Sequence, residues 1–197
     1  MNPRSYPLFS RFLKLPLALL LLGCTSSAWS AWQLDNTRST LNFVTIKAGN
    51  IAENHSFKQL SGSVDKKGNV SISINTASVD TLIPIRDDRM QEFLFETKIF
   101  PELKFTAQVN LDVVNNNAQP VEVNGQLTIK DRTIEVTTQV LVINQQDQSV
   151  VVASTQPILL NANQVGLLSG VNKLQELAGL PSISQAVPVN FVLTFTQ

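Results

Sequence analysis

A chain of 197 residues is long enough for one domain with its own hydrophobic core, since typical domains run to about 100 to 200 residues. Fifteen Lys and Arg balance fifteen Asp and Glu, and only 15% of the residues are charged. No excess of one sign exists to draw in phosphate backbones or anionic surfaces, so no nucleic-acid partner is expected.

Residues 1–30 have the layout of an export signal: Arg4, Arg11 and Lys14 make a basic start, and Leu15 to Gly23 is apolar and uncharged. That run is too short for a bilayer, which needs about 20 residues, so no transmembrane span is expected in the mature protein. Ala28-Trp29-Ser30 presents small residues where a signal peptidase reads, placing the mature start near Ala31. Removing the three basic residues leaves twelve against fifteen acidic ones, a mature net charge of about −3. The expected domain is then 31–197, in the periplasm. The only cysteine, Cys24, has two readings. It ends the apolar run, or Leu21-Leu22-Gly23-Cys24 is a lipobox whose cysteine is lipidated. In the second case Thr25 stands where inner-membrane retention expects Asp, and an outer-membrane lipoprotein facing the periplasm would follow. Either way the folded domain has no thiol for a disulfide, a metal or a nucleophile.

From Ala31 onward apolar and polar residues alternate with period two, the pattern of strands with one buried face. The chain reads as all-β. The alternation is clearest at Val70, Ile72, Ile74; Phe105, Ala107, Val109, Leu111, Val113; Val121, Val123, Leu127, Ile129; Ile134, Val136, Val140, Val142; and Val187, Val189, Phe191, Leu193, Phe195. Turn residues separate these runs at Asp65 to Asn69, Asn115 to Asn117, Lys130 to Arg132 and Gln145 to Asp147, and short links favour antiparallel neighbours. Two stretches break the alternation. Asp87 to Phe95 carries Met90, Phe93 and Leu94 at helical spacing, with Asp87 and Asp88 suiting a helix start. Val171 to Ala178 reads as a second short helix stopped by Gly179 and Pro181. A sheet of about eight such strands hides its apolar face by packing on a second sheet or by closing on itself, and periodicity alone does not choose.

A set of motifs in fixed order narrows the choice. Trp32-Gln33-Leu34-Asp35 with Ser39 and Phe43, then Ser78-Val79-Asp80-Thr81 followed by Arg86-Asp87, then Phe95, Phe100-Pro101 and Phe105, and finally Gly125-Gln126-Leu127-Thr128-Ile129 resemble the YceI-like family of exported bacterial proteins. Each motif is weak alone; the ordered set spans the chain from Trp32 to Phe195. The resemblance implies an extended, eight-stranded antiparallel, lipocalin-like barrel with one or two short helices. It also implies a non-enzymatic binding or carrier protein for a long apolar amphiphile, a polyisoprenoid or quinone-like lipid held in the barrel without covalent chemistry. The alternative is an envelope stress or structural protein whose barrel is filled by side chains and which binds a protein partner. The run Asp88-Arg89-Met90 stands where many members of the family carry a different, leucine-containing run, and the stretch Leu160 to Ser184 departs from the short link of the shorter members.

On alternation alone, Phe105, Val109, Leu111, Leu127, Ile129, Val189, Phe191 and Leu193 are candidates for the wall of such a tube, or simply core. Phe93, Phe95 and Phe100 either plug one end of the barrel or border the ligand's entrance. Arg86, Asp87, Asp88 and Arg89 form the densest charge cluster. Carboxylates beside guanidinium groups stay ionised, which suits structural pairing better than proton transfer. The functional alternative gives Arg86 and Arg89 to a polar ligand head. His55, the only histidine, lacks partners for a metal site or a triad, and no Gly-x-Ser-x-Gly occurs, so neither a cofactor nor an enzyme is expected.

Overall fold

The computed structural model describes Met1 and residues 32–112 and 119–197. The export-signal stretch with Cys24, Val113 and the Asn115 to Asn117 turn lie outside the described residues. Among the described residues twelve strands join one antiparallel sheet: β1 (Trp32–Leu34), β2 (Thr40–Lys47), β3 (Ile51–Phe57), β4 (Leu60–Val64), β5 (Asn69–Asn75), β6 (Val79–Asp80), β7 (Glu102–Gln108), β8 (Val121–Ile129), β9 (Arg132–Asn144), β10 (Val150–Ser154), β11 (Ile158–Asn161) and β12 (Ala186–Thr196). Four pairs, β1/β2, β3/β4, β5/β6 and β10/β11, are each one long strand with a break, so the barrel has eight staves in simple up-and-down order.

Closure is carried by β12. One edge pairs with β10, Leu193 opposite Val152, and with β11, Val189 opposite Ile158. The other edge pairs with β2, Phe191 opposite Leu41, and with β1, Phe195 opposite Leu34. Period-two alternation then sends one set of side chains inward all round. In β9, Val136, Thr138, Val140 and Val142 are buried while Glu135, Thr137 and Gln139 are exposed.

The hairpins follow the local chemistry read from the sequence. Asp65 Oδ1 accepts from the backbone N–H groups of Lys67 and Asn69, which tightens the β4–β5 turn. Ile129 pairs with Arg132 across a two-residue turn in which Lys130 is left-handed, at φ 53°. The breaks in the first three staves lie side by side. There Asn36 donates from Nδ2 to Lys58 O and accepts from Leu60 N–H, standing in for ladder bonds that the break removes.

Two helical segments cover one end of the barrel. The first begins as α1 (Pro84–Arg89), three residues earlier than Asp87, because Pro84 fits a first helical turn that needs no N–H. Asp87 instead turns back, accepting from Thr81 N–H at 2.8 Å and from the Thr81 hydroxyl at 2.5 Å. From Met90 to Phe95 the helix widens to π geometry and ends at a left-handed Glu96. The second, α2 (Leu168–Ala178), starts one turn before the expected Val171 and stops at a left-handed Gly179. No helix among the described residues is long and apolar enough to cross a membrane.

The two segments touch through Gly170. A Cβ there would sit 2.6 Å from Phe93 O and 2.7 Å from Leu94 Cα, so backbone meets backbone. Gly170→Ala should therefore destabilise the protein by about 1 to 3 kcal/mol despite alanine's better helix propensity, because no side-chain rotation relieves the clash. Urea unfolding beside the exposed control Ser169→Ala measures it; equal midpoints would contradict the close contact.

Candidate functional site

The inward side chains do not fill the barrel. They leave a cavity of about 280 Å³ that runs from Trp32, Val121 and Val150 at the hairpin end to Leu160, Ile183 and Val187 below the helices. Five of its lining residues, Val187, Val189, Phe191, Leu193 and Phe195, alternate along β12. At ~3.3 Å per residue this stretch covers about 26 Å of strand. The space is long and narrow. Among the described residues no charged side chain lines it, and the hydroxyl-bearing lining residues are Thr45, Thr138 and Ser184.

The π geometry determines what closes the top. An α-helix would put Met90, Phe93 and Leu94 on one face, whereas the wider turn puts Met90, Leu94 and Phe95 there, all buried and all lining the cavity. Phe95 continues an aromatic stack into the wall: its ring lies 5.5 Å from Phe57, Phe57 lies 5.4 Å from Phe43, and Phe43 meets His55 edge-on at 5.3 Å.

Behind this stack lies a polar cluster. Glu53 and His55 share the inner side of β3, where a purely apolar alternation would place aliphatic residues. Glu53 Oε2 takes Arg86 at 2.7 Å and Lys47 at 2.8 Å, and both cations hold its carboxyl below the ordinary range together with the Lys47 hydrogen bond, the largest cause. His55 is 3% exposed, and its Nε2 shares a 2.9 Å hydrogen bond with the Thr45 hydroxyl. Burial, then the positive Arg86, pushes the imidazole pKa down; Glu53 and Asp87 oppose this, and Lys47 adds to it. Among the described residues, His55 Nδ1 and Arg86 Nε are buried without a hydrogen-bond partner, and no group of three or more His, Cys, Asp or Glu is placed to hold a metal ion.

Of the residues singled out from sequence, Phe95, Phe105, Val109, Leu111, Leu127, Ile129, Val189, Phe191 and Leu193 line the cavity. Phe93 and Phe100 do not. Phe93 is turned away by the π register, and Phe100 lies under the Lys130 ammonium, 5.9 Å from its ring centre. Arg86 and Arg89 also lie outside the cavity lining. Arg86 is held by Glu53 and by Thr81 O at 2.7 Å, and Arg89 Nη1 donates to Leu177 O at 3.4 Å, tying α1 to α2. Their structural role is therefore ion pairing and helix anchoring, with Glu53 rather than Asp87 or Asp88 as Arg86's partner. Sequence reasoning missed Thr138, although it shares the parity of Val136 and Val140. It also missed Phe43 and Phe57 as wall residues, because Glu53 and His55 interrupt the apolar pattern beside them.

A family model for the YceI-like domain matches residues 32–195, nearly all of the described chain. The chain belongs to the YceI-like family. A polyisoprenoid-binding domain from Saccharophagus degradans, implicated in plant cell wall breakdown, is 34% identical. The alignment covers 85% of this chain and 98% of that one, with a TM-score of 0.81. Burkholderia cenocepacia BcnA shares the fold at 20% identity and a TM-score of 0.66, covering 83% of this chain and 99% of its own. The Campylobacter jejuni YceI protein does so at 18% and 0.53, with 73% and 84% covered. No curated protein sequence matches the chain. In this YceI-like barrel the Gly-x-Leu-Thr-Ile strand has a packing reason. A Cβ on Gly125 would lie 2.4 Å from the Phe105 ring, so the glycine lets that ring lie flat against the wall instead of crossing the tube.

The buried imidazole couples stability to pH. Unfolded, His55 titrates near its ordinary 6.5; folded, it resists protonation. Below that value the unfolded chain binds a proton the folded chain refuses, so this contribution is complete above about pH 6.5 and lost as pH falls. Melting temperatures should drop from about pH 7 to pH 5.5 in the wild type, and less in His55→Gln. Parallel curves would assign the drop to other groups.

Proposed function

We propose that this YceI-like protein is an exported, non-enzymatic binding or carrier protein for a long apolar amphiphile of the polyisoprenoid or quinone type, held in the barrel lumen. The observation that carries this reading is the unfilled, uncharged cavity. At about 280 Å³ it lies at the lower edge of ordinary ligand sites, which run to roughly 300 to 1,000 Å³. Its length suits a thin chain better than a compact molecule. Each CH₂ withdrawn from water into such a lining gains about 0.8 kcal/mol, so a long tail binds without any polar anchor. The 34% identical S. degradans domain binds polyisoprenoid, which supports the same class of guest here. The open lumen favours this reading over a filled barrel that serves only a protein partner.

The test combines extraction with obstruction. Protein purified from its own cell envelope should release an isoprenoid lipid detectable by mass spectrometry. Val140→Trp, which projects an indole into the lumen from a residue 3% exposed, should abolish that lipid, whereas Gln139→Trp on the outer face should keep it. Bare wild-type protein under gentle conditions would sink the carrier reading.

We further propose that residues 1–30 direct export to the periplasm, with the mature chain starting near Ala31. The alternative keeps a lipidated Cys24 as the first residue. Intact mass of the envelope form separates them: cleavage at Ala31 gives an unmodified chain, and lipidation adds acyl groups at Cys24.

A further inference from the structure

Thr138 stands in the middle of β9, between Val136 and Val140 on the inward face, and is 4% exposed. The residue lines the cavity, and its hydroxyl is buried with no hydrogen-bond partner among the described residues. The hydroxyls of the other two such lining residues among those described, Thr45 and Ser184, are occupied. Thr45 Oγ1 is bound to His55 Nε2 at 2.9 Å. Ser184 Oγ donates to Ala186 O and accepts from Ala186 N–H. Thr138 therefore brings to the lining a hydroxyl that no protein group among the described residues uses. Valine has nearly the same shape, would cost no buried unpaired hydroxyl, and fills the neighbouring inward positions.

We infer that Thr138 is a guest-binding residue that donates a hydrogen bond to a neutral oxygen of the lipid, of the ring-carbonyl class, part-way down the lumen. This rests on the carrier reading and deepens it by fixing where the polar end of the guest lies. The absence of any charged side chain among the described lining residues supports a neutral oxygen: a phosphate at this depth would be buried without a counter-charge from them. The guest thus enters head first, with its ring among the valines of β8 and β9 and its tail along the remaining lumen.

The test compares two probes of equal tail length, a benzoquinone bearing a polyisoprenoid chain and a polyisoprenoid hydrocarbon without the ring. Binding is measured to lipid-stripped wild type, Thr138→Val and Thr138→Ser. The wild type should bind both. Thr138→Val should lose about three- to tenfold in affinity for the quinone, the size of one ordinary hydrogen bond, and nothing for the hydrocarbon. Thr138→Ser should retain quinone binding. The melting temperature of stripped Thr138→Val should equal or exceed that of the wild type, which separates loss of a ligand contact from loss of structure. If Thr138→Val binds both probes as the wild type does, the assignment falls while the carrier reading stands. If the wild type binds neither, both fall together.

Discussion

The structure depends on β12 being hydrogen-bonded along both edges. Its residues reach β10 and β11 on one side and β1 and β2 on the other, so the first stave and the last become neighbours and the ring of staves has no free edge. Once closed, the apolar face of the sheet can meet only itself, and the alternation along every stave becomes a statement about the interior. An open sheet with the same pattern would need a second layer. Here the second layer is the far wall of the same barrel, and between the walls lies the cavity.

Closure imposes demands that the chain meets locally. A barrel of this curvature breaks four of its staves, and each break frees backbone groups that cannot stay unpaired. In the adjoining breaks of the first three staves, side-chain amides take over: Asn36 serves Lys58 and Leu60, and Asn75 Oδ1 accepts from Ala77 N–H at 2.9 Å. The top demands a lid of apolar side chains, and the π segment supplies it by aligning Met90, Leu94 and Phe95. The lid is fastened by polar contacts outside the lumen, Lys130 Nζ to Glu96 at 2.5 Å among them, so the fastening adds no charge to the lining.

What was legible in the sequence was what local chemistry determines. Period two, Asp65 in its turn and the stop at Gly179 need only neighbouring residues, and they place strands, hairpins and helix ends within a few positions. Closure depends on Phe195 meeting Leu34, a pairing that loop chemistry does not encode, and it reached the sequence reading only through the ordered motifs. The exchange of Phe93 for Phe95 on the lid follows from a wider helical turn, which side-chain spacing does not announce. Arg86 finds Glu53, thirty-three residues upstream, only after β3 and the first helix have been brought together. Thr138 was visible by parity. It was passed over because a threonine between strand residues reads as the polar half of the pattern, when here it belongs to the apolar half.

The strict alternation also sets how such a chain can vary. Inner and outer positions are interleaved one by one, so deleting or inserting a single residue within a stave would exchange its two faces, turning Glu135 and Gln139 into the tube and Val136 and Val140 into solvent. Length variation is therefore confined to the hairpins, the breaks and the two helical crossovers, where no face is read. The long stretch between β11 and β12, with α2 inside it, is a connection of this permitted kind. Substitutions on the outer face retune solubility and surface contacts, while those on the inner face reshape the cavity, and neither set disturbs the other. One strand thus carries two messages that can be edited separately, provided that their count is never shifted.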